Sequence, residues 1–433
     1  MCVSKREKIG TLSILIALLL MMAGSWFYQP LQVMVAPYGT LLSGVALGIA
    51  FLCCTDYKKV FRDPFFYLMV FADILTVINL FVLNSGKGAL LTVVDLLLVI
   101  YLANKVMISK LQMFALSTIE LLFFFYWTLT PKGYYQGFNI NYGGLVLLTG
   151  LLFGMLLTEA LKQEDKCKFA WCWQIVLMLI GCRVTYVAYK DMYWLYGVYA
   201  VITLFVLLKY KEGRKYFWLL QMTLMILGFE IISYYLSRCA LIGAVVFVIL
   251  IMIPKKFWIN RVGRVFYGIV SIGLTLGTVF FSFLLTWIAQ MRETLNFKFL
   301  YKDIFSGREE VWAELWGVFL KQPFTGIGSS YTLHVPELEG TFEVHSGLLD
   351  ILFVHGVIVF AITLCMLLWQ LLRLRMHMAE DTVSKYAVSA IFAMLATSFF
   401  ENYFIVPPFL LLFLLLFMIV NLRMNSKHES GKT

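Results

Sequence analysis

Charged residues are scarce in this 433-residue chain, in which Asp, Glu, Lys and Arg together make up only 14% of the sequence. Apolar residues reach 61%, and the mean hydropathy is +0.85. Soluble domains carry about 25% charged residues. The composition therefore excludes a soluble globular protein and indicates a chain that crosses a membrane several times.

Histidine and cysteine are also sparse, with five and eight residues respectively. The cysteines lie mostly in apolar segments or on the predicted cytoplasmic side, so they form no extracellular disulfide framework. Cys167 and Cys172 have no histidine nearby, and apolar packing explains them better than zinc ligation. We therefore predict neither a metal ion nor a cofactor.

Apolar runs long enough to cross about 30 Å of hydrocarbon recur along the whole chain. They predict an all-α, polytopic membrane protein of about fourteen transmembrane helices in one domain, residues 1–433, without internal repeats. The predicted spans are 9–28, 33–53, 64–84, 88–104, 112–130, 144–161, 169–188, 195–209, 216–236, 238–253, 265–289, 345–370, 386–402 and 409–424.

The basic residues indicate the orientation of the chain. With the N-terminus inside, most of the 35 Lys and Arg residues fall in short cytoplasmic loops, as the positive-inside rule requires. Both termini are therefore predicted to be cytoplasmic. The net charge of +10 is spread over many loops instead of one stripe, so it predicts contact with the lipid bilayer and no nucleic-acid partner.

One long polar segment, 290–344, interrupts the apolar pattern and is predicted to be a large extracytoplasmic loop. Within it, Ser306-Gly307-Arg308-Glu309 has the form of a capping box, in which Ser306 accepts from the Glu309 amide and Glu309 reaches back. A helix should begin there and end near Pro323. Its apolar residues recur at helical spacing, which is typical of an amphipathic helix at the membrane interface: Val311, Trp312, Leu315, Trp316, Val318 and Phe319.

The first turn of this predicted helix contains Arg308, whose positive charge is unfavourable beside the helix dipole unless an anion is shared between them. A planar guanidinium and unpaired backbone amides together suit a phosphate. Pairing of Arg308 with Glu309 or Glu310 is the structural alternative. Gly326-Ile327-Gly328 could add a close backbone approach, although this motif is common.

Three further ionisable residues fall near the outer face: Arg183, Arg238 and His345. Positive residues normally avoid that side, so their shared depth favours a functional site. Each also has a structural explanation. Arg238 could extend its side chain to water, Arg183 could pair with Glu230, and His345 could simply be a satisfied helix-end histidine.

The order and spacing of these motifs resemble the O-antigen ligase and Wzy-type polysaccharide polymerase superfamily. The resemblance covers residues 138–402. It rests on Ser237-Arg238, Ser306-Gly307-Arg308, Trp312, Pro323, Gly326-x-Gly328, His345 and Gly356. Phe138-Asn139-Ile140-Asn141 is similar to the family's Asn-Pro-Asn segment, and Phe400-Glu401-Asn402 resembles the segment that contains the family's glutamate near the last spans. Ile140 replaces the usual proline, and Ser346 stands where asparagine is usual.

The resemblance implies a GT-C-like, metal-independent inverting glycosyltransferase at the outer face of the bacterial cytoplasmic membrane, with an undecaprenyl-diphosphate-linked glycan as donor. It implies that Arg238 and Arg308, with Arg183 nearby, hold the donor diphosphate. It also implies that His345 is the catalytic base at the acceptor hydroxyl. The supporting residues would be Ser237, Ser306, Glu309, Trp312, Gly326, Gly328, Asn139, Asn141 and Glu401.

The acceptor separates three related activities. A polymerase, which we favour, transfers the chain to a lipid-linked repeat unit and would have a chain-length regulator as a further partner. A ligase transfers it to lipid A-core, and a related oligosaccharyltransferase to protein. A lipid-linked oligosaccharide flippase is the alternative from another class. Transporters, however, place charged sites near the midplane between repeats. The arginines and the histidine of the candidate site are instead predicted to lie together at the outer face.

Overall fold

The structure is a computed structural model that describes residues 4–26, 38–83, 85–109, 111–112, 115–116, 238–291, 298–299, 302–303, 307–334, 344–380, 382–402 and 405–430. Apart from residues 112, 115 and 116, the predicted spans between residues 112 and 236 lie outside this part of the chain. The predicted count of fourteen spans therefore stays a prediction.

The described residues are almost entirely helical. The N-terminal helices are α1 (Lys5–Trp26), α2 (Gly39–Cys54), the single turn α3 (Tyr57–Val60), α4 (Pro64–Val82) and α5 (Lys87–Leu102). The later helices are α6 (Arg238–Met252), α7 (Arg261–Thr275), α8 (Gly277–Ala289), α9 (Arg308–Phe319), α10 (Gly347–Arg373), α11 (Arg375–Glu380), α12 (Thr382–Thr397) and α13 (Pro407–Ser430), with a 3₁₀ helix at Lys255–Ile259.

A short hairpin, with two residues in each strand, precedes α9. Its strands β1 (Lys298–Phe299) and β2 (Lys302–Asp303) are antiparallel, with Lys298 opposite Asp303. It lies in the predicted extracytoplasmic loop.

Two stretches of the described chain are long and apolar enough to cross a membrane, namely α4 and the segment Gly347–Glu380 that comprises α10 and α11. Helices α7 and α8, which meet at an angle of 56°, form a third if the bent pair is one span. In its most apolar window α4 is only 22% buried, whereas the window in Gly347–Glu380 is 72% buried. The protein is thus a helical membrane protein in which α10 lies deep inside the described part and α4 lies nearer its surface.

Local sequence signals explain where α4 begins. The Asp63 carboxylate accepts a hydrogen bond from the Phe65 amide at 3.0 Å, and Pro64 occupies the first turn, where its missing N–H costs nothing. The apolar residues that follow continue the helix to Val82. The start of α4 therefore agrees with the predicted span 64–84.

Helix α10 is broken at Gly356, which has φ 86° and ψ 171°. The predicted span 345–370 did not include this interruption. A broken helix leaves carbonyl groups unsatisfied, and in a membrane other protein groups must satisfy them. Here the amides of Ile327 and Gly328 donate to the carbonyls of Phe353 and Val354 at 2.8 and 3.2 Å.

The other side of the break is satisfied as well. The Val357 amide donates to the Pro323 carbonyl at 2.9 Å, and Asn79 Nδ2 of α4 donates to the carbonyls of Thr325 and His355 at 2.8 and 3.4 Å. The segment Pro323–Gly328, which we name the seam, is therefore hydrogen-bonded along the interrupted helix. It connects the end of α9 to the middle of α10.

The seam requires glycine, because its backbone lies against that of α10. Gly326 has φ 75°, and a Cβ there would lie 2.6 Å from the Gly356 nitrogen and from the Phe353 and Val354 carbonyl oxygens. We expect Gly326→Ala to destabilise the protein by about 2 kcal/mol or more. Thermal unfolding of the purified protein in detergent measures this.

The matched control is Gly317→Ala in α9, where no described atom lies within 4 Å of an added Cβ. Alanine is a better helix former than glycine, so this variant should be neutral or slightly stabilised. Equal stability of the two variants would contradict the packing of the seam against α10.

Candidate functional site

Arg308 is the first residue of α9, as the sequence predicted in outline. The N-cap, however, is Gly307, with φ 84°, and no described side chain caps it. The capping box itself, with Ser306 as N-cap, stays a prediction. Ser306 itself lies outside the described residues.

The predicted apolar face of α9 is buried by protein, since Val311, Trp312, Leu315, Trp316 and Phe319 are all buried against neighbouring helices. Trp316 stacks on Phe283 of α8 with ring centroids 3.9 Å apart and contacts Phe353 of α10 edge to face. Packing against α8 and α10 therefore holds this helix in place.

Trp312 connects α9 to the chain just before α10. Its indole Nε1 donates to the Val344 carbonyl at 2.8 Å, and its ring lies edge to face with Phe281. Phe281 also contacts Phe400, which precedes Glu401. A fully buried tryptophan with its polar atom satisfied is a rigid anchor. Trp312 thereby fixes the peptide that carries His345.

His345 is the non-glycine residue with positive φ, 53°, in the described part of the chain. Ser346 is the N-cap of α10, and its hydroxyl donates to the Ser398 carbonyl at 3.1 Å, while the Gly347 amide donates to the Glu401 carbonyl at 3.3 Å. A left-handed histidine costs of order 1–3 kcal/mol, and such strain persists where surrounding contacts impose it. The structure thus holds His345 in one orientation, two residues before the first residue of α10.

The buried carboxylate of Glu401 brings these elements together. Arg308 Nη2 lies 3.0 Å from Glu401 Oε1, and His345 Nδ1 lies 4.0 Å from Glu401 Oε2. The Glu401 side chain is 1% exposed, against 17% for Arg308 and 38% for His345. A carboxylate without contact to water needs partners of opposite charge or hydrogen-bond donors. We name Arg308, His345 and Glu401 the outer triad.

Arg238 begins α6, and the packing of this helix shows which end of the molecule it occupies. Lys385 Nζ donates to the carbonyls of Ile251 and Ile253, and Tyr386 contacts Phe247, so the start of α12 lies beside the end of α6. The two helices pack along each other. The two helices are therefore antiparallel. Arg238 lies nine residues, or about 13 Å of helix, before Phe247. Its backbone is thus near the end of α12, which Ser398 and Glu401 follow.

Glu309 and the two glycines of the Gly-x-Gly motif occupy different surroundings. Glu309 is 3% exposed and so lies inside the protein instead of on a solvated face.

The close backbone approach of Gly326 is made to α10. Gly328, with φ 75°, lies against Ser85 and Leu83. A structural role in the seam accounts for both glycines.

Two further histidines, His334 and His355, lie in different settings. His334 is 79% exposed on its side chain, and Glu314 of α9 binds both its amide, at 3.0 Å, and its Nδ1, at 3.0 Å. It is therefore held in place and not free to move with solvent. His355 is 4% exposed and lies beside the break in α10.

The contact between Glu314 and the loop also includes Tyr331, whose hydroxyl donates to Glu314 Oε1 at 2.7 Å. Burial alone would raise the pKa of the Glu314 carboxyl, but the hydrogen bonds from Tyr331 and His334 lower it below its usual value. Burial and the same hydrogen bond raise the pKa of Tyr331 to about 12. Segment 331–334 is thus bound to α9 by an ionised carboxylate at neutral pH.

The remaining predicted site residues, Ser237, Arg183, Asn139 and Asn141, lie outside the described residues, as does the side chain of Arg238. In the part of the chain that the structure describes, no group of three His, Cys, Asp or Glu residues has the arrangement of a metal site. Of the predicted site residues, the structure brings Arg308, His345 and Glu401 together, and Trp312 holds the peptide before His345.

Sequence reasoning missed several residues that build this site. The Ser398 carbonyl accepts a hydrogen bond from the Ser346 hydroxyl. The Asn79 amide of α4 donates to the carbonyls of Thr325 and His355 beside the break in α10. Asn79 carried a usable signal, because a polar amide within an apolar helix must find a partner. Ser398 carried none, since only its backbone carbonyl takes part.

Comparison with protein families identifies the segment that contains most of the site. Residues 223–364 match the family model described as O-antigen ligase. This match confirms the resemblance to the O-antigen ligase and Wzy-type superfamily that the motifs indicated. The matched segment includes Arg238, Arg308, Trp312 and His345, while Glu401 lies beyond it. No curated protein and no solved structure matches the chain.

The outer triad predicts a specific stability pattern. Glu401→Ala should destabilise the protein by about 3 kcal/mol, because it leaves the mostly buried Arg308 guanidinium without its carboxylate. The double variant Arg308→Met/Glu401→Leu should be less destabilised than Glu401→Ala alone. Thermal unfolding in detergent compares the variants, with the exposed neighbour Glu310→Ala as control. Equal stability of Glu401→Ala and Glu310→Ala would contradict the buried pair.

Proposed function

We propose that this protein is a metal-independent inverting glycosyltransferase that polymerises undecaprenyl-diphosphate-linked repeat units into a surface polysaccharide. In this proposal the reaction takes place at the outer face of a bacterial cytoplasmic membrane. The family match supports an enzyme of the O-antigen ligase type. The observation that carries the proposal is the outer triad, in which one carboxylate contacts both a cation and a candidate base.

Each member of the outer triad has a distinct part in the proposed reaction. The partly exposed Arg308 guanidinium contacts the donor diphosphate, together with Arg238, and stabilises the negative charge that develops as undecaprenyl diphosphate leaves. Arg183 is a further candidate contact. His345, which is the most exposed of the triad at 38%, meets the acceptor hydroxyl.

The bond changes in the proposed transfer balance without a metal or cofactor. The acceptor oxygen attacks the anomeric carbon, the bond from that carbon to the diphosphate oxygen breaks, and the configuration inverts. His345 takes the hydroxyl proton. Because Nδ1 faces Glu401, the carboxylate favours the tautomer that carries its proton on Nδ1, which leaves Nε2 to act as the base.

The identity of the acceptor distinguishes the polymerase from its alternative. The family description favours a second candidate, an O-antigen ligase that transfers the finished glycan to lipid A-core. Deletion of the gene distinguishes the polymerase from the ligase. Loss of a polymerase reduces the surface glycan to a single repeat unit, whereas loss of a ligase leaves full-length lipid-linked chains that are not attached to the core.

Substitution of Arg308 tests the diphosphate contact. Arg308→Ala should lower turnover by about 10²–10³-fold, as expected for the loss of one preorganised oxyanion contact. Arg308→Lys should recover only part of the activity, because an ammonium lacks the planar fork of a guanidinium. Turnover is measured in EDTA with purified enzyme and a lipid-linked donor. Lys321→Ala, an exposed loop substitution, is the control.

Full activity of folded Arg308→Ala would remove Arg308 from the donor site. A requirement for added magnesium or manganese in the wild-type reaction would contradict the metal-independent mechanism.

Substitution of His345 tests the base. His345→Ala should nearly abolish transfer while donor binding remains, because the arginines hold the donor. His334→Ala, which removes a histidine bound to Glu314, should retain activity. The wild-type rate should fall in acid, because a protonated histidine cannot accept the hydroxyl proton. Equal losses in both variants, or an active His345→Ala enzyme, would exclude this role.

A further inference from the structure

A second polar pocket lies at the end of α10 remote from the outer triad. It has a volume of about 220 Å³ and lies between the start of α4, the end of α5 and the last turns of α10. Four residues of α10 line it, namely Met366, Trp369, Gln370 and Arg373, and these lie roughly 30 to 40 Å along the helix from His345. The pocket is therefore separate from the proposed glycosyl-transfer site. Its volume is below that of typical ligand pockets and suits a single headgroup better than a sugar repeat unit.

Two cations and one carboxylate line this pocket. Lys105 Nζ lies 3.0 Å from Asp63 Oδ2 and 3.1 Å from the centre of the Tyr101 ring. Arg373 is exposed and lines the same pocket. Because the Lys105 charge is matched by that of Asp63, Arg373 leaves the pocket with one net positive charge. The pocket thus has an unbalanced cation at its open side.

The electrostatic surroundings of Lys105 include a second cation. Burial lowers the pKa of the Lys105 ammonium, Asp63 opposes that change, and the positive charge of Arg373 adds to it. An anion placed between Lys105 and Arg373 would relieve their repulsion. Asp63 is already committed to Lys105 and to the Phe65 amide, so it does not meet this need.

The other lining residues fit a group that is part polar and part apolar. Trp369 is 50% exposed and its ring lies 5.5 Å from that of Phe65, as expected for an aromatic side chain at a membrane interface. Asn104 also lines the pocket, and its Oδ1 has no hydrogen-bond partner among the described residues. Gln370 is occupied, because its Nε2 donates to the Ile100 carbonyl at 2.9 Å.

We propose that this pocket binds the phosphate of an anionic phospholipid headgroup in the leaflet remote from the glycosyl-transfer site. Arg373 and Lys105 contact the phosphate, Asn104 hydrogen-bonds the glycerol hydroxyls of the headgroup, and Trp369 lies beside the start of the acyl chains. Basic pockets between transmembrane helices on the cytoplasmic side are typical sites for anionic lipids. The same phosphate chemistry is available from free inorganic phosphate, so the test must separate these two sources.

Native mass spectrometry of the purified full chain, delipidated in detergent, provides the test. The probes are dioctanoyl phosphatidylglycerol, dioctanoyl phosphatidylcholine and inorganic phosphate. We expect the first phosphatidylglycerol to bind more tightly than phosphatidylcholine, and Arg373→Gln to weaken that binding about fivefold, the effect of one basic residue near an anionic lipid. Arg373→Lys should retain most of the binding.

Lys59→Gln is the matched control, because Lys59 is 86% exposed, pairs with Asp56 at 3.6 Å and does not line the pocket. Binding should change less than twofold in this variant. Equal losses in Arg373→Gln and Lys59→Gln, or equal binding of the two lipids, would overturn the proposal. Displacement of phosphatidylglycerol by inorganic phosphate at the same concentration would assign the pocket to a free anion and overturn the lipid source.

Discussion

A carboxylate buried to 1% exposure in a membrane helix bundle needs partners, and the partners of Glu401 define the candidate site. Arg308 supplies the opposing charge, His345 lies at ion-pair distance, and the Glu401 carbonyl receives the first amide of α10. One residue therefore fixes the starts of two helices and the turn after α12. Removal of its charge would take away the carboxylate that Arg308 and His345 share, while the backbone hydrogen bond to α10 would remain.

The surrounding structure keeps that carboxylate in place. Helix α9 is anchored by Trp312 and Trp316, and the seam connects its end to the break in α10. An unbroken α10 would have no free carbonyls to bind the seam, and the loop after α9 would then lack its hydrogen bonds to α10. The interruption at Gly356 thus contributes to the placement of Arg308, although Gly356 lies away from the outer triad.

The sequence predicted the membrane class, most described helices and the existence of α9, because these depend on apolar periodicity. Three features were beyond it. His345 has a left-handed backbone, which is uncommon outside glycine and which contacts distant in sequence impose here. Gly356 resembles any tolerated glycine in an apolar run. The contact of Arg308 with Glu401 joins residues 93 positions apart, which no local spacing reveals; only the family resemblance singled out Glu401.

The central claim is that the outer triad receives the donor diphosphate and the acceptor at one place. A cryo-EM structure of the full chain with a bound, non-hydrolysable undecaprenyl-diphosphate-linked sugar tests it most directly. The account predicts the diphosphate within hydrogen-bond distance of the Arg308 guanidinium and the anomeric carbon facing the His345 ring, with the pair of Arg308 and Glu401 intact. A diphosphate bound at the remote end of α10, or a metal ion between the diphosphate and Glu401, would contradict it.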